Sequence, residues 1–289
     1  MRDASLGVVA WIWFLRAVVV LNVAVWFRMA AAFRRESPLQ GAELRRYRRR
    51  QVILSGLFVA GCAFRSILPR ADVQRICPFD TWLSVVLVGR AVATVAELAF
   101  MAQWALLLGE SAGPGSRDPA RLVSRVLVPL IAVAELCSWY AVLSTNYLGN
   151  AIEQSIWTFA SALVLLGLLA RERGARPRFV GIAAALIGAY ILFMSMVDVP
   201  MYLRRWRADE ASGRSYLSFV DGVRDVGSRR VVTRAWEPWH EEIPWMSLYF
   251  STGVWVSLWL TRAAAARKSA AVTLVDENVT QSSLSKARG

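Results

Sequence analysis

The sequence predicts an all-α polytopic membrane protein, a bundle of seven transmembrane helices with the N-terminus outside and the C-terminus cytoplasmic. Three observations carry that expectation. The composition is apolar, with 56% hydrophobic and only 19% charged residues and a mean hydropathy of +0.40. Apolar runs of about 20 residues recur along the chain, the length needed to cross about 30 Å of hydrocarbon at about 1.5 Å per residue. A dense arginine block follows the first of them: Arg34-Arg35, then Arg45-Arg46-Tyr47-Arg48-Arg49-Arg50. Arginine is costly inside a bilayer, and basic loops are held on the cytoplasmic side, so the block sets class and orientation together.

The first run, Val8–Phe27, reads as a retained helix and not as a cleaved leader. Met1-Arg2 beside Asp3 is a poor basic start, Arg16 interrupts the apolar stretch, and the small residues Ala30-Ala31-Ala32 abut the arginine block. The remaining runs are Val52–Leu68, Trp82–Leu108, Leu122–Ser144, Ala151–Ala170, Phe179–Val199 and Ile243–Leu260. Loop charge alternates accordingly. Arg117 and Arg121, then Arg171, Arg173, Arg176 and Arg178, then the bases of the tail fall on the inner side, and the short outer loop Asn146–Asn150 carries none. The helical domain is placed at residues 1–265 and a Ser/Thr/Ala-rich disordered cytoplasmic tail at 266–289. Asn278-Val279-Thr280 fits a glycosylation triplet but lies in that inner tail. The localisation expected is an integral membrane protein of the plasma (inner) membrane.

The net charge of +13 then reflects topology. The bases sit in loops between apolar runs, so no nucleic-acid partner is expected. The partners expected are the lipid bilayer and a small charged or amphipathic ligand. Cys62, Cys77 and Cys137 make neither a disulfide framework nor a metal pattern. His240 is the only histidine, which excludes bis-histidine haem and zinc sites built on several histidines. The only lysines, Lys268 and Lys286, lie in the tail, so no helix carries a lysine for a retinal Schiff base. No Gly-rich phosphate loop, HExxH or G-x-S-x-G occurs. No cofactor is expected. A carboxylate metal site at Glu97, Glu135 and Glu153 is opposed by the neighbouring arginines.

The functional signal is charge within apolar runs. Such residues line a cavity or pair with one another. Arg16, Arg65, Arg90, Glu97, Glu135 and Glu153 are therefore the candidate ligand-binding residues. Arg16, Glu97 and Glu135 are placed near the midplane, with Arg65, Arg90 and Glu153 toward the outer side, above an apolar inner half. Arg90, Thr94, Glu97, Met101 and Trp104 share one helical face. About 10 Å of axial rise separates Arg90 from Glu97, which reads as too far for a direct pair. Val95-Ala96-Glu97-Leu98 and Val133-Ala134-Glu135-Leu136 are identical tetrads, either chance or a trace of duplication. Arg70, Asp72 and Arg75 read either as a solvated salt-bridge lattice or as a carboxylate- or phosphate-binding fork. The segment 200–242, where arginines alternate with aromatics, reads as a lid or an interfacial anchor.

These features point to a transporter, channel-like protein or sensor that binds its ligand in an outward-facing polar cavity. One alternative is a membrane-embedded enzyme acting on a lipid through carboxylate acid–base residues. Another is a structural or assembly subunit with a buried ion-pair network.

Overall fold

The computed structural model describes residues 2–37, 40–112, 118–170 and 178–262. The predicted tail, residues 266–289, and most of the loop bases at 117 and 171–176 lie outside the described residues. Long helices dominate: α1 (Arg2–Glu36), α2 (Ala42–Ile67), α3 (Val86–Ser111), α4 (Pro119–Ser144), α5 (Tyr147–Leu169), α6 (Arg178–Phe193) and α7 (Val199–Ala211). A π-turn at Met194–Asp198 joins α6 to α7 without a break, giving one apolar helix over Gly181–Ala211. Among the described residues, six helices are long and apolar enough to cross a membrane. The chain is a multi-pass integral membrane protein. Many large apolar side chains on these helices, Phe27, Leu136, Phe159, Leu166 and Ile182 among them, face outward, as lipid contact requires.

The C-terminal helical segment is less regular. It comprises α10 (Glu242–Leu248), a second π-turn at Tyr249–Gly253 and α11, residues 254–262. Phe250, Val254 and Leu258 pack with Val8, Ile12 and Leu15 of α1 and with Phe58 and Cys62 of α2, while Leu260 joins a second core formed by α3 to α6. Successive helices pack side by side from α1 to α5, and α5 then meets both α6 and α7.

Helix boundaries follow local chemistry. Asp118 caps α4 through a side-chain bond to the Ala120 amide, with Pro119 in the first turn. Thr145 ends α4 in the left-handed region, and Asn146 caps α5 through the Leu148 amide. Two boundaries differ from the sequence reading. The arginine block Arg45–Arg50 is not a loop, because α2 begins ten residues before Val52, at Ala42. Its buried face carries Tyr47 and Arg48, and Arg48 pairs with Glu36 of α1 at 2.6 Å. The segment 200–242 also starts as helix; Pro200, which has no amide hydrogen to give the preceding turn, directly follows the π-turn Met194–Asp198 and Val199, where the helical bonding is already offset.

At one end of the bundle, two connections fold into a crown. Residues 68–85 include β1 (Ile76–Cys77), and the stretch after α7 includes α8 (Phe219–Ser228), β2 (Val231–Val232) and α9 (Trp236–Trp239). β1 and β2 pair in parallel, Ile76 with Val231 and Cys77 with Val232. Arg75 holds a left-handed conformation, φ 61°. From there Nε donates to Asp225 of α8 at 2.6 Å and Nη2 to the Val142 carbonyl of α4 at 2.7 Å. Gly222 lets α8 lie directly on the Leu143 carbonyl, where a Cβ has no room. Segment 200–242 is thus bound into the crown by side-chain and strand contacts. Cys77 is buried, its thiol donating to the Phe79 carbonyl at 3.3 Å.

Candidate functional site

Below the crown, Arg90 of α3 lies among three carboxylates from three helices. Its Nη2 donates to Glu97 Oε2 at 2.9 Å and to Glu135 Oε2 at 2.7 Å, and its Nη1 lies 3.7 Å from Glu153 Oε1. All four residues are at most 8% exposed. The expectation that Arg90 and Glu97 are too far apart to pair is wrong. Axial rise measures backbones, but a helical glutamate leans back toward the N-terminus and a long arginine spans the remaining distance.

Each carboxylate is held from its own surroundings. Thr94, one turn after Arg90, donates to Glu135 Oε2 at 2.6 Å, and the Trp139 indole fixes Thr94 Oγ1 at 3.2 Å. Asn150, in the first turn of α5, donates to Glu153 Oε2 at 3.1 Å. The helices that carry the group approach closely because small residues line their contacts. Gly149 lies against the Cys137 carbonyl and Ala141 of α4, and Gly61 of α2 against Ala96 of α3.

The candidates do not all converge. Arg65 belongs to an adjacent layer, where Asp72 lies 3.7 Å from Arg65 and 2.7 Å from Arg70. Arg70 also donates to the Val85 carbonyl, and Arg65 to the Arg70 carbonyl at 3.3 Å. This layer is buried, not solvated, as the exposure of Arg70 and Arg75 at 2% each shows. Burial alone raises the Asp72 carboxyl, but Arg65 and Arg70 outweigh it and hold the group below the usual carboxylate range. Burial likewise lowers Arg70, against the opposing pull of Asp72.

Arg16 stands apart from both layers. Its guanidinium stacks 4.8 Å from the Trp13 ring and 5.4 Å from Phe79 of the crown. The long α1 carries Arg16 up to crown level, so it is neither at the midplane nor a partner of Glu97 or Glu135. A further charged clamp, missed from sequence, joins α7 to α10: Arg205 binds Glu241 at 2.5 Å and Glu242 at 2.9 Å. Gln74 of the crown donates to Glu242 at 2.8 Å.

A second omission lies toward the opposite end. Gln103 Nε2 donates to the Gln51 and Ser257 carbonyls at 3.3 and 3.2 Å, and Gln51 Nε2 donates to the Gln103 carbonyl at 2.9 Å. Ser257 Oγ donates to Gln103 Oε1 at 2.6 Å and lies 3.1 Å from Ser55 Oγ. The half of the bundle remote from the crown is therefore not purely apolar. An amide layer was hard to find in the sequence because glutamine carries no charge to mark it.

The three glutamates offer ligand oxygens within 4.8 Å of one another, close enough to surround a hard cation. Arg90 already donates to two of those carboxylates, so the guanidinium stands where an ion would sit. Two acceptors in the group have no donor: Glu135 Oε1 and Asn150 Oδ1. Comparison with protein-family models, curated proteins and solved structures returned no match. The site thus has to be interpreted from its own chemistry.

Proposed function

We propose that this protein is a seven-helix plasma-membrane protein, N-terminus out and C-terminus in, that binds a small charged or amphipathic ligand from the crown side in transport or sensing. In this reading α10, its π-turn and α11 form the seventh span, and the crown faces outward, opposite the arginine-rich start of α2. The observation that carries the reading is Arg90 in contact with carboxylates of α3, α4 and α5, with two buried acceptors unmatched. Buried ionisable groups in a membrane are expensive and mark sites by default. Arg65 of α2, with Arg70 and Asp72 of the crown, forms the layer above this group.

One observation favours a structural reading instead: Arg90 bridges three neighbouring helices, as an assembly bolt does. Purified full-length protein in proteoliposomes separates the two. Flux of charged solutes, or a solute-induced rise in melting temperature that Glu135→Gln abolishes, supports binding. A melting temperature unmoved by a panel of anionic, cationic and amphipathic solutes, with no flux, leaves the structural reading. Release of a soluble headgroup from lipid supports the enzyme. Because Cys77 is buried, orientation is tested with cysteines introduced at exposed Ser212 and Arg49. An impermeant thiol reagent on intact cells labels Ser212→Cys and spares Arg49→Cys if the topology holds.

A further inference from the structure

Building on the binding site proposed above, we propose that Glu97, Glu135 and Glu153 form a proton-binding centre, with Arg90 as its fixed counter-charge. Three carboxylates meet one guanidinium, so the ionised group carries two negative charges in excess, among residues at most 8% exposed. Among the described residues, no second cation is in direct contact with them. Arg65 and Arg70 are committed to Asp72, and Arg75 to Asp225. Excess charge at this depth is not sustained; a bound cation balances it.

Arg90 Nε and Ser138 Oγ lack partners too, so the choice of cation rests on the excess charge, on the place the guanidinium already occupies and on the acceptors that need a donor. Glu135 Oε1 and Asn150 Oδ1 are both acceptors, both buried, and both lack a donor. Asn150 Oδ1 belongs to the amide whose Nδ2 already holds Glu153. Two protons on the carboxyl group set restore neutrality and supply two O–H donors beside two donorless acceptors. A metal ion meets neither need as well. It provides no donor, and it must displace Arg90 from Glu97 and Glu135 to gain its ligands. Close carboxylates that cannot all ionise share protons between them, so the group titrates as a unit.

Other ionisable groups surround the centre on every side. Cys62 and Arg65 of α2 lie within electrostatic range, as do Tyr190 of α6, Tyr249 of the second π-turn and Asp72 of the crown. Arg65 is the remaining cation among these, and it pairs with Asp72. None of them supplies the missing positive charge. Protonation therefore falls on the three glutamates, and loading or emptying the centre changes how tightly Arg90 is held to each helix.

The test is an infrared titration of the full-length protein in lipid vesicles, from about pH 5 to about pH 9, reading the carbonyl band of protonated carboxyl groups. The expected result is a titrating band that Glu135→Gln and Glu153→Gln each diminish, while Glu135→Asp retains it at a shifted position. Should a glutamine variant not fold, the aspartate variants and the wild-type band still decide the matter. A band indifferent to changes at all three positions overturns the proposal. So does a carboxylate signal at these residues that responds to sodium or calcium at fixed pH but not to pH. The two levels of interpretation fail separately. Solute flux with no titrating glutamates retains the binding site and rejects the proton. Titrating glutamates without flux or solute binding reject the ligand-binding function and retain the proton centre.

Discussion

Two buried polar layers cross this bundle, and they solve the same problem in opposite ways. The layer of Gln51, Ser55, Gln103 and Ser257 is neutral, and its amides and hydroxyls satisfy one another across α2, α3 and α11. The layer of Arg90, Glu97, Glu135 and Glu153 is ionic, with more negative charge than positive and with unmatched atoms that include Glu135 Oε1 and Arg90 Nε. A network meant only to fix helix packing is cheapest when neutral and closed, because neutral groups shed water at lower cost than ions. The amide layer meets that description. The ionic layer does not, because its charge is left unbalanced.

The contrast predicts a graded set of mutational effects. Arg90→Leu strands three buried carboxylates and is the most damaging change, destabilising the protein by about 3–5 kcal/mol. Chemical denaturation of the purified protein measures it, and a stability equal to wild type would show that the layer is not ionic. Gln103→Leu comes next. It takes the donor from Gln51 Oε1 and from the Ser257 carbonyl, and leaves Ser257 Oγ only its Ser55 contact, for a loss of about 1–3 kcal/mol. The double change Gln51→Leu with Gln103→Leu recovers much of that loss, because it removes both partners at once. Failure of the double variant to recover would mean that the amide layer, too, does more than pack helices.

Asp72 gives a smaller and pH-dependent effect. Its folded carboxyl is held below its ordinary range by Arg65 and Arg70, against burial. It therefore adds stability that is fully present above the unfolded carboxylate value of about 4 and is lost as pH falls through the lower folded value. The gap in melting temperature between wild type and Asp72→Asn should narrow on acidification. A gap that widens instead would reverse the assignment. Arg214→Ala marks the floor of the series. Arg214 meets Asp209 at 2.6 Å from an exposed position, and its loss costs less than about 1 kcal/mol. A larger loss would show that the tip after α7 is coupled to the core.

The ionic layer was legible in the sequence, because Arg90, Glu97, Glu135 and Glu153 stand out against apolar neighbours. Membrane character and helix order were legible for the same reason. Partnership was not. Depth estimated from run boundaries put Arg16 beside the glutamates, whereas α1 runs from Arg2 to Glu36 and lifts Arg16 to Phe79. The start of α2 was obscured because six residues rich in arginine look like loop to a hydropathy count, though arginine is a good helix former. The crown was invisible for another reason. Its β1–β2 pair and the Arg75–Asp225 contact join residues about 150 positions apart, and no local pattern records such a meeting.

The π-turn at Met194–Asp198 sets the phase of everything beyond it. One residue more than an α-helix needs is wound into that stretch, so the face that α7 presents is turned by about 100° and advanced by about 1.5 Å relative to an uninterrupted helix. Arg205 meets Glu241 and Glu242 from beyond that offset. Deleting Ser195 would let the stretch relax into an ordinary helix and leave α6 intact. The same deletion would swing Arg205 off its carboxylates and unfasten α7 from α10. The join between α7 and α10 thus depends on a miscount of one residue, about ten positions before Arg205.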